Sequence, residues 1–95
     1  MTNMARLEAL FEEIGGYQRA LESEMTLSTG GPEIYRRVLE VQLLLPPGNE
    51  HIWNDFRMWI MQSWATAHQR GGDAESEPWR VFLGEIGDLL GPAPD

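Results

Sequence analysis

Few side chains in this 95-residue chain are of the types that do chemistry. His51 and His68 are the only imidazoles, and with no cysteine the thiolate ligands, thiol nucleophiles and disulfides are excluded together. His51 and Asp55 stand at i and i+4, which puts two metal donors on one helical face. A metal site needs three or four convergent donors, and His68 lies 17 residues beyond His51. Ordinary surface histidines are therefore expected, with no metal and no other cofactor. Glu12 and Glu13 are adjacent and splay apart on a helix, whereas Glu8 and Glu12 share a face and repel. No apolar pocket that would raise a carboxylate pKa for acid–base work can be inferred around either pair.

Ser28-Thr29-Gly30-Gly31-Pro32 precedes a helix start, where backbone N–H groups can hold an anion. The lysine and the spacing of a phosphate-binding loop are missing, so a capping loop is expected. There is no Gly-x-Ser-x-Gly elbow, and no Ser–His–acid order stands out. These residues point away from an enzyme.

The elements that carry these side chains are helical, because apolar residues recur at three- and four-residue steps and no period-two run competes. A first helix is predicted from about Met4 to Met25, with Thr2 or Asn3 as its cap and a seam of Met4, Leu7, Phe11, Ile14, Leu21 and Met25. Gly15-Gly16 costs ~2 kcal/mol against two alanines, so a kink or a division into two helices is expected there. A second helix is predicted from Pro32 to Leu45, stopped by Pro46-Pro47-Gly48, with Ile34, Val38, Val41 and Leu45 on one stripe. A third runs from a cap at Asn49 to about Gln69, and a fourth from about Pro78 to Leu90. Residues 69–77 lack apolar periodicity and read as a flexible linker. The expected fold is all-α, a single domain over residues 1–95 made as a small bundle of four helices, or five if Gly15-Gly16 divides the first. Gln18 and Gln42 each interrupt an apolar stripe, either pairing with one another or lying at the stripe's edge.

The third helix carries more apolar surface than one core-facing side requires. Ile52, Trp53, Phe56, Trp59, Ile60, Ser63, Trp64 and Ala67 fill an arc of about 140°. Met58, Met61 and Ala65 lie on the opposite flank beside Asn54. Such a helix is either central in its bundle or touches something outside it. Unbranched thioethers repack around varied partners, so Met58, Met61, Ala65 and Asn54, with Leu43 and Leu44, are the candidate partner-binding residues.

Charge adds a second clue. Acidic residues outnumber basic ones 15 to 7, giving −8, and all seven basic residues are arginine. That balance argues against direct binding to nucleic acid or to anionic lipid. The helix pair around Pro46-Pro47-Gly48-Asn49 suggests a helix-turn-helix, but its would-be reading helix carries only Arg57 in its body. No apolar run is long enough to span a membrane. The opening Met1–Glu8 lacks an apolar leader, and Thr2 stands where myristoylation needs glycine, so the cytosol is the expected compartment.

The leading expectation is a small acidic regulator or inhibitor, not an enzyme, that binds a protein and occludes its active or dimerisation surface. That partner is expected to be basic or nucleic-acid-binding, and the chain itself is expected to form a homodimer. An acidic nucleic-acid mimic is the alternative, and a minor enzyme or ligand-binding bundle comes third.

Overall fold

A computed structural model describes residues 3–45 and 48–91. Three α-helices make up the described chain: α1 (Asn3–Ser23), α2 (Leu27–Leu44) and α3 (Asn54–Leu90), with a 3-10 turn at Glu50–Trp53 leading into the last. No strand occurs among the described residues, so the all-helical class holds. Three helices stand where four or five were expected, the last of them divided at Gly72. The chain divides into two compact units, Met1–Pro46 and Pro47–Asp95.

In the first unit α1 and α2 pack on one another as a hairpin. Gly15-Gly16 does not break α1, which is helical throughout. Burial of Leu7, Leu10 and Ile14 along one face outweighs the local propensity cost of two glycines. The buried stripe differs from the predicted seam, because Leu10 is enclosed whereas Met4 and Phe11 are exposed. Of the predicted stripe on α2, Ile34, Val38 and Val41 are fully buried, whereas Leu45 is half-buried just past the helix end. Gln18 and Gln42 are both half-buried.

The link between α1 and α2 is shorter than the predicted loop. The Ala20 carbonyl accepts from both Glu24 N (2.9 Å) and Met25 N (2.8 Å), and an extended Thr26 (φ −87, ψ 154) then starts α2 at Leu27. The helix begins five residues ahead of Pro32, where it was expected to start, and Pro32 lies inside it. Proline forfeits one intrahelical bond there. Gly30 in the same segment packs closely on α1. A Cβ at Gly30 would stand 2.8 Å from Met25 Sδ and 3.1 Å from Leu21 Cδ2, so a side chain there would have to displace Met25 and Leu21 where the first turn of α2 meets the end of α1.

In the second unit, Asn49 caps the 3-10 turn rather than the third helix, which begins at Asn54. The expected linker over residues 69–77 is helical on both sides of one residue, Gly72, at φ 69 and ψ −150. That backbone region is essentially closed to residues with a side chain. The buried Ser76 donates its Oγ–H to the Gly72 carbonyl at 3.0 Å, tying the first turn of the second stretch to the residue at the break. The third and fourth predicted helices are thus one element with two arms, residues 54–71 and 73–90.

The break has a geometric reason. On an unbroken helix the buried Phe56, Ile60 and Ala67 would point about 100° away from the buried Phe82, Ile86 and Leu90, so no single neighbour could cover both sets. Folding back brings Trp59 of the first arm to Trp79 of the second, ring centroids 5.4 Å apart and edge to face. Arg57 Nη2 donates to the Gly91 carbonyl at 2.9 Å, tying the C-terminal end of the second arm to the start of the first.

Two glycine substitutions should act with opposite sign. Gly30→Val should destabilise the protein by about 1–3 kcal/mol through overpacking against Leu21 and Met25. Gly84 is exposed and helical, and an added Cβ there meets nothing within 4 Å. Gly84→Ala should therefore stabilise by about 0.5–1 kcal/mol. Chemical denaturation followed by circular dichroism reads both, and equal effects would contradict this packing.

Candidate functional site

The first arm of α3 presents two faces. One carries the buried Phe56, Ile60 and Ala67, with Trp53 buried in the 3-10 turn that leads into it. Trp53–Phe56 (5.6 Å), Phe56–Trp59 (5.8 Å), Trp59–Trp79 and Trp79–Phe82 (6.3 Å) form a continuous aromatic ladder across the two arms. The ladder immobilises the inner face and so fixes the direction of the outer one.

The outer face spans about 100° of the wheel and consists of Asn54, Met58, Met61, Gln62, Ala65 and Gln69. Met58 is 53% and Met61 51% exposed, Ala65 is half-buried, and Asn54, Gln62 and Gln69 are exposed. Four of the six predicted partner-binding residues, Asn54, Met58, Met61 and Ala65, therefore share one solvent-facing stripe. Leu43 and Leu44 belong to α2 in the other unit, where Leu43 is 77% exposed and Leu44 half-buried.

Trp64 departs from its expected place in the core. It is 37% exposed beside this stripe and stacks on His68 with centroids 5.3 Å apart and planes 12° from parallel. The clearest feature of the face is one that hydrophobic periodicity misses. Residues 58–69 contain no Asp, Glu, Lys or Arg, although charged residues make up 23% of the chain, and the gap is bracketed by Arg57 and Arg70. A solvent-facing helix normally interleaves charges of both signs. A scan for missing charge along the helix finds this stripe without any structure.

Two other gatherings invite a chemical reading. At the Gly72 break His68 meets Ser76 and Asp73, the residue types of a nucleophilic triad. Both contacts fall on the same ring nitrogen: Nδ1 is 3.4 Å from Ser76 Oγ and 3.6 Å from Asp73 Oδ1. A triad needs the serine and the carboxylate on opposite nitrogens, so this arrangement cannot relay a proton from hydroxyl to imidazole. It braces the reversal instead. No group of three or more metal-ligating side chains converges among the described residues.

In the first unit a depression of about 340 Å³ is lined by Arg6, Glu13, Arg36, Arg37 and Glu40. Its guanidinium groups are engaged by carboxylates. Arg6 holds Glu40 with two bonds of 2.6 and 2.8 Å, and Arg37 holds Glu13 at 2.7 Å and Glu33 at 3.0 Å. Arg37 also lies 4.8 Å over the Tyr17 ring. Bonding to Arg6 holds the Glu40 carboxyl below its ordinary range, and bonding to Arg37 and then Arg36 does the same for Glu33. The cluster fastens α1 to α2, and its charge is largely cancelled internally.

No helix among the described residues is long and apolar enough to cross a membrane. Comparison with protein families, with curated proteins and with solved structures returned no match.

The ion pairs set a pH dependence whose sign follows from the depressed carboxyls. A glutamate titrating lower in the folded state adds stability above its unfolded value, and that stability is lost as pH falls through the folded one. The melting temperature should therefore drop as pH is lowered through about 4 and below. Glu40→Gln should lower it at neutral pH and flatten the acid limb, read by thermal circular dichroism across pH. An unchanged acid limb would show that the Arg6–Glu40 pair does not couple to folding.

Proposed function

We propose that this chain is a small acidic regulator or inhibitor that binds another protein and covers that protein's active or dimerisation surface, without catalysing a reaction itself. The observation that carries this reading is the uncharged, solvent-facing stripe of Asn54, Met58, Met61 and Ala65 on α3, two of whose members are half-exposed methionines. A side chain with no charge, no polar partner to make and much apolar area gains by being covered.

The magnitudes define its role. Burying what remains exposed of Met58, Met61 and Trp64 is worth about 3–5 kcal/mol in all. Micromolar affinity requires about 8 kcal/mol after the cost of association. The stripe is thus the centre of an interface, and polar flanks such as Asn54, Gln62 and Gln69 form its rim. Methionines at such a centre adapt to a partner's shape rather than demand one geometry.

The nucleic-acid mimic is the weaker reading on charge density. The second arm of α3 exposes Asp73, Glu75, Glu77, Glu85 and Asp88, of which Glu77 is paired with Arg80. Spread along the helix, these carboxylates fall about one per 5–6 Å, against about one charge per 1.7 Å of duplex. An imitation that is threefold too dilute competes poorly for a phosphate-reading groove. Homodimerisation is opposed by bringing together two copies that each carry −8.

Affinity capture from the native host, followed by calorimetry with the purified partner, tests the proposal. Met61→Glu should leave the circular dichroism spectrum and melting temperature nearly unchanged while weakening binding about 30-fold or more. Capture of no stoichiometric protein, or a partner that binds the folded variant equally well, would overturn it.

A further inference from the structure

The outer face of α3 also constrains what can cover it. The stripe from Asn54 to Gln69 is about 24 Å long and one helix face wide, the footprint of a single helix laid alongside. Its centre, Met58, Met61 and Ala65, offers no hydrogen-bonding side chain, so the middle of the occupant must be apolar. The borders obey a different rule, because the field around the stripe is negative. Asp55 lies on one edge, and the unit that contains the stripe exposes five further carboxylates, Asp73, Glu75, Glu77, Glu85 and Asp88. Its arginines offset only part of this: Arg80 is paired with Glu77, Arg57 is turned inward to the Gly91 carbonyl, and the exposed Arg70 at the far end of the stripe is outnumbered by Asp55, Asp73, Glu75, Glu85 and Asp88.

We infer that the segment docking on this face is a basic amphipathic helix, with an apolar stripe set against Met58, Met61 and Ala65 and arginine or lysine along its edges. This rests on the protein-binding reading above and names the chemistry of the partner's contact segment. Apolar area supplies the adhesion, and the negative field selects sign and speeds encounter. Trp64, exposed beside the methionines and held flat by His68, offers the ring face that a bordering guanidinium or ammonium prefers.

Attraction to an acidic protein is easily nonspecific, so the test must set the face against the field. The probe is a fluorescently labelled peptide of about 18 residues, leucine and lysine patterned as an amphipathic helix, with a glutamate-for-lysine twin. Anisotropy titrations should give one lysine peptide per chain, binding weakened about tenfold between roughly 20 and 300 mM salt, and much weaker binding of the glutamate twin. The double variant Met58→Glu with Met61→Glu makes the chain more acidic, so a pure field effect predicts tighter binding and docking on the face predicts a loss of about 30-fold or more. Tighter or equal binding by the variant overturns the inference. Should that variant fail to fold, Met58→Gln with Met61→Gln keeps the charge constant and should still weaken binding about tenfold; no weakening overturns the inference equally. Equal binding of both peptides, or of neither while host capture still recovers a Met61-dependent partner, overturns the basic helix and leaves the protein-binding reading standing. A dimer in light scattering that Met58→Glu with Met61→Glu dissociates assigns the face to a second copy and overturns the inference as well.

Discussion

The second unit depends on one backbone reversal. At Gly72 the chain enters a region of φ and ψ that only glycine occupies freely, and the 37-residue α3 turns back on itself there. Every cross-arm contact follows from that reversal: Trp59 against Trp79, His68 beside Ser76, Arg57 on the Gly91 carbonyl. Without it the apolar stripes of the two arms diverge around the helix and each exposes a separate oily surface. With it the aromatic ladder closes and absorbs most of the large side chains of the first arm.

The reversal also decides what is left outside. Once Phe56, Ile60 and Ala67 face inward, helical geometry turns Met58, Met61 and Ala65 outward, since they lie about half a turn away. Polar uncharged residues complete that outer side, where lysine, arginine or glutamate would be usual. The first unit solves its own surface differently. There Arg6, Arg36 and Arg37 are tied into ion pairs that clasp α1 to α2, leaving a depression rimmed by neutralised charge. Three of the first unit's four arginines serve internal fastening, and the other unit offers a stripe with no ions at all.

Much of this was legible in the amino-acid sequence, for identifiable physical reasons. The stripes of Ile34, Val38 and Val41 and of Phe82, Ile86 and Leu90 recur at helical spacing, and burial follows that spacing directly. The two-sided apolarity around Trp59 was equally visible, because it depends only on residue type and rotation. Breaks were harder to read. Gly15-Gly16, Gly30-Gly31 and Gly71-Gly72 look alike as dipeptides, yet only Gly72 interrupts a helix. The difference lies in tertiary contacts, a close approach at Gly30 and a chain reversal at Gly72, which local propensity does not encode. Trp64 was misplaced for a related reason: it sits at the margin of the apolar arc, where a few tens of degrees decide between core and surface. The missing charge over residues 58–69 needed no structure, only a search for what was absent.

The most direct test of the account is methionine footprinting with dilute peroxide on the isolated monomer, read by peptide mass spectrometry, because thioether oxidation reports access to solvent. Met58 and Met61 should oxidise at rates close to that of the exposed Met4 and well ahead of the half-buried Met25. Protection of Met58 and Met61 in the monomer to the level of Met25 would mean that the chain covers this face itself, and the case for a docking surface on α3 would fall.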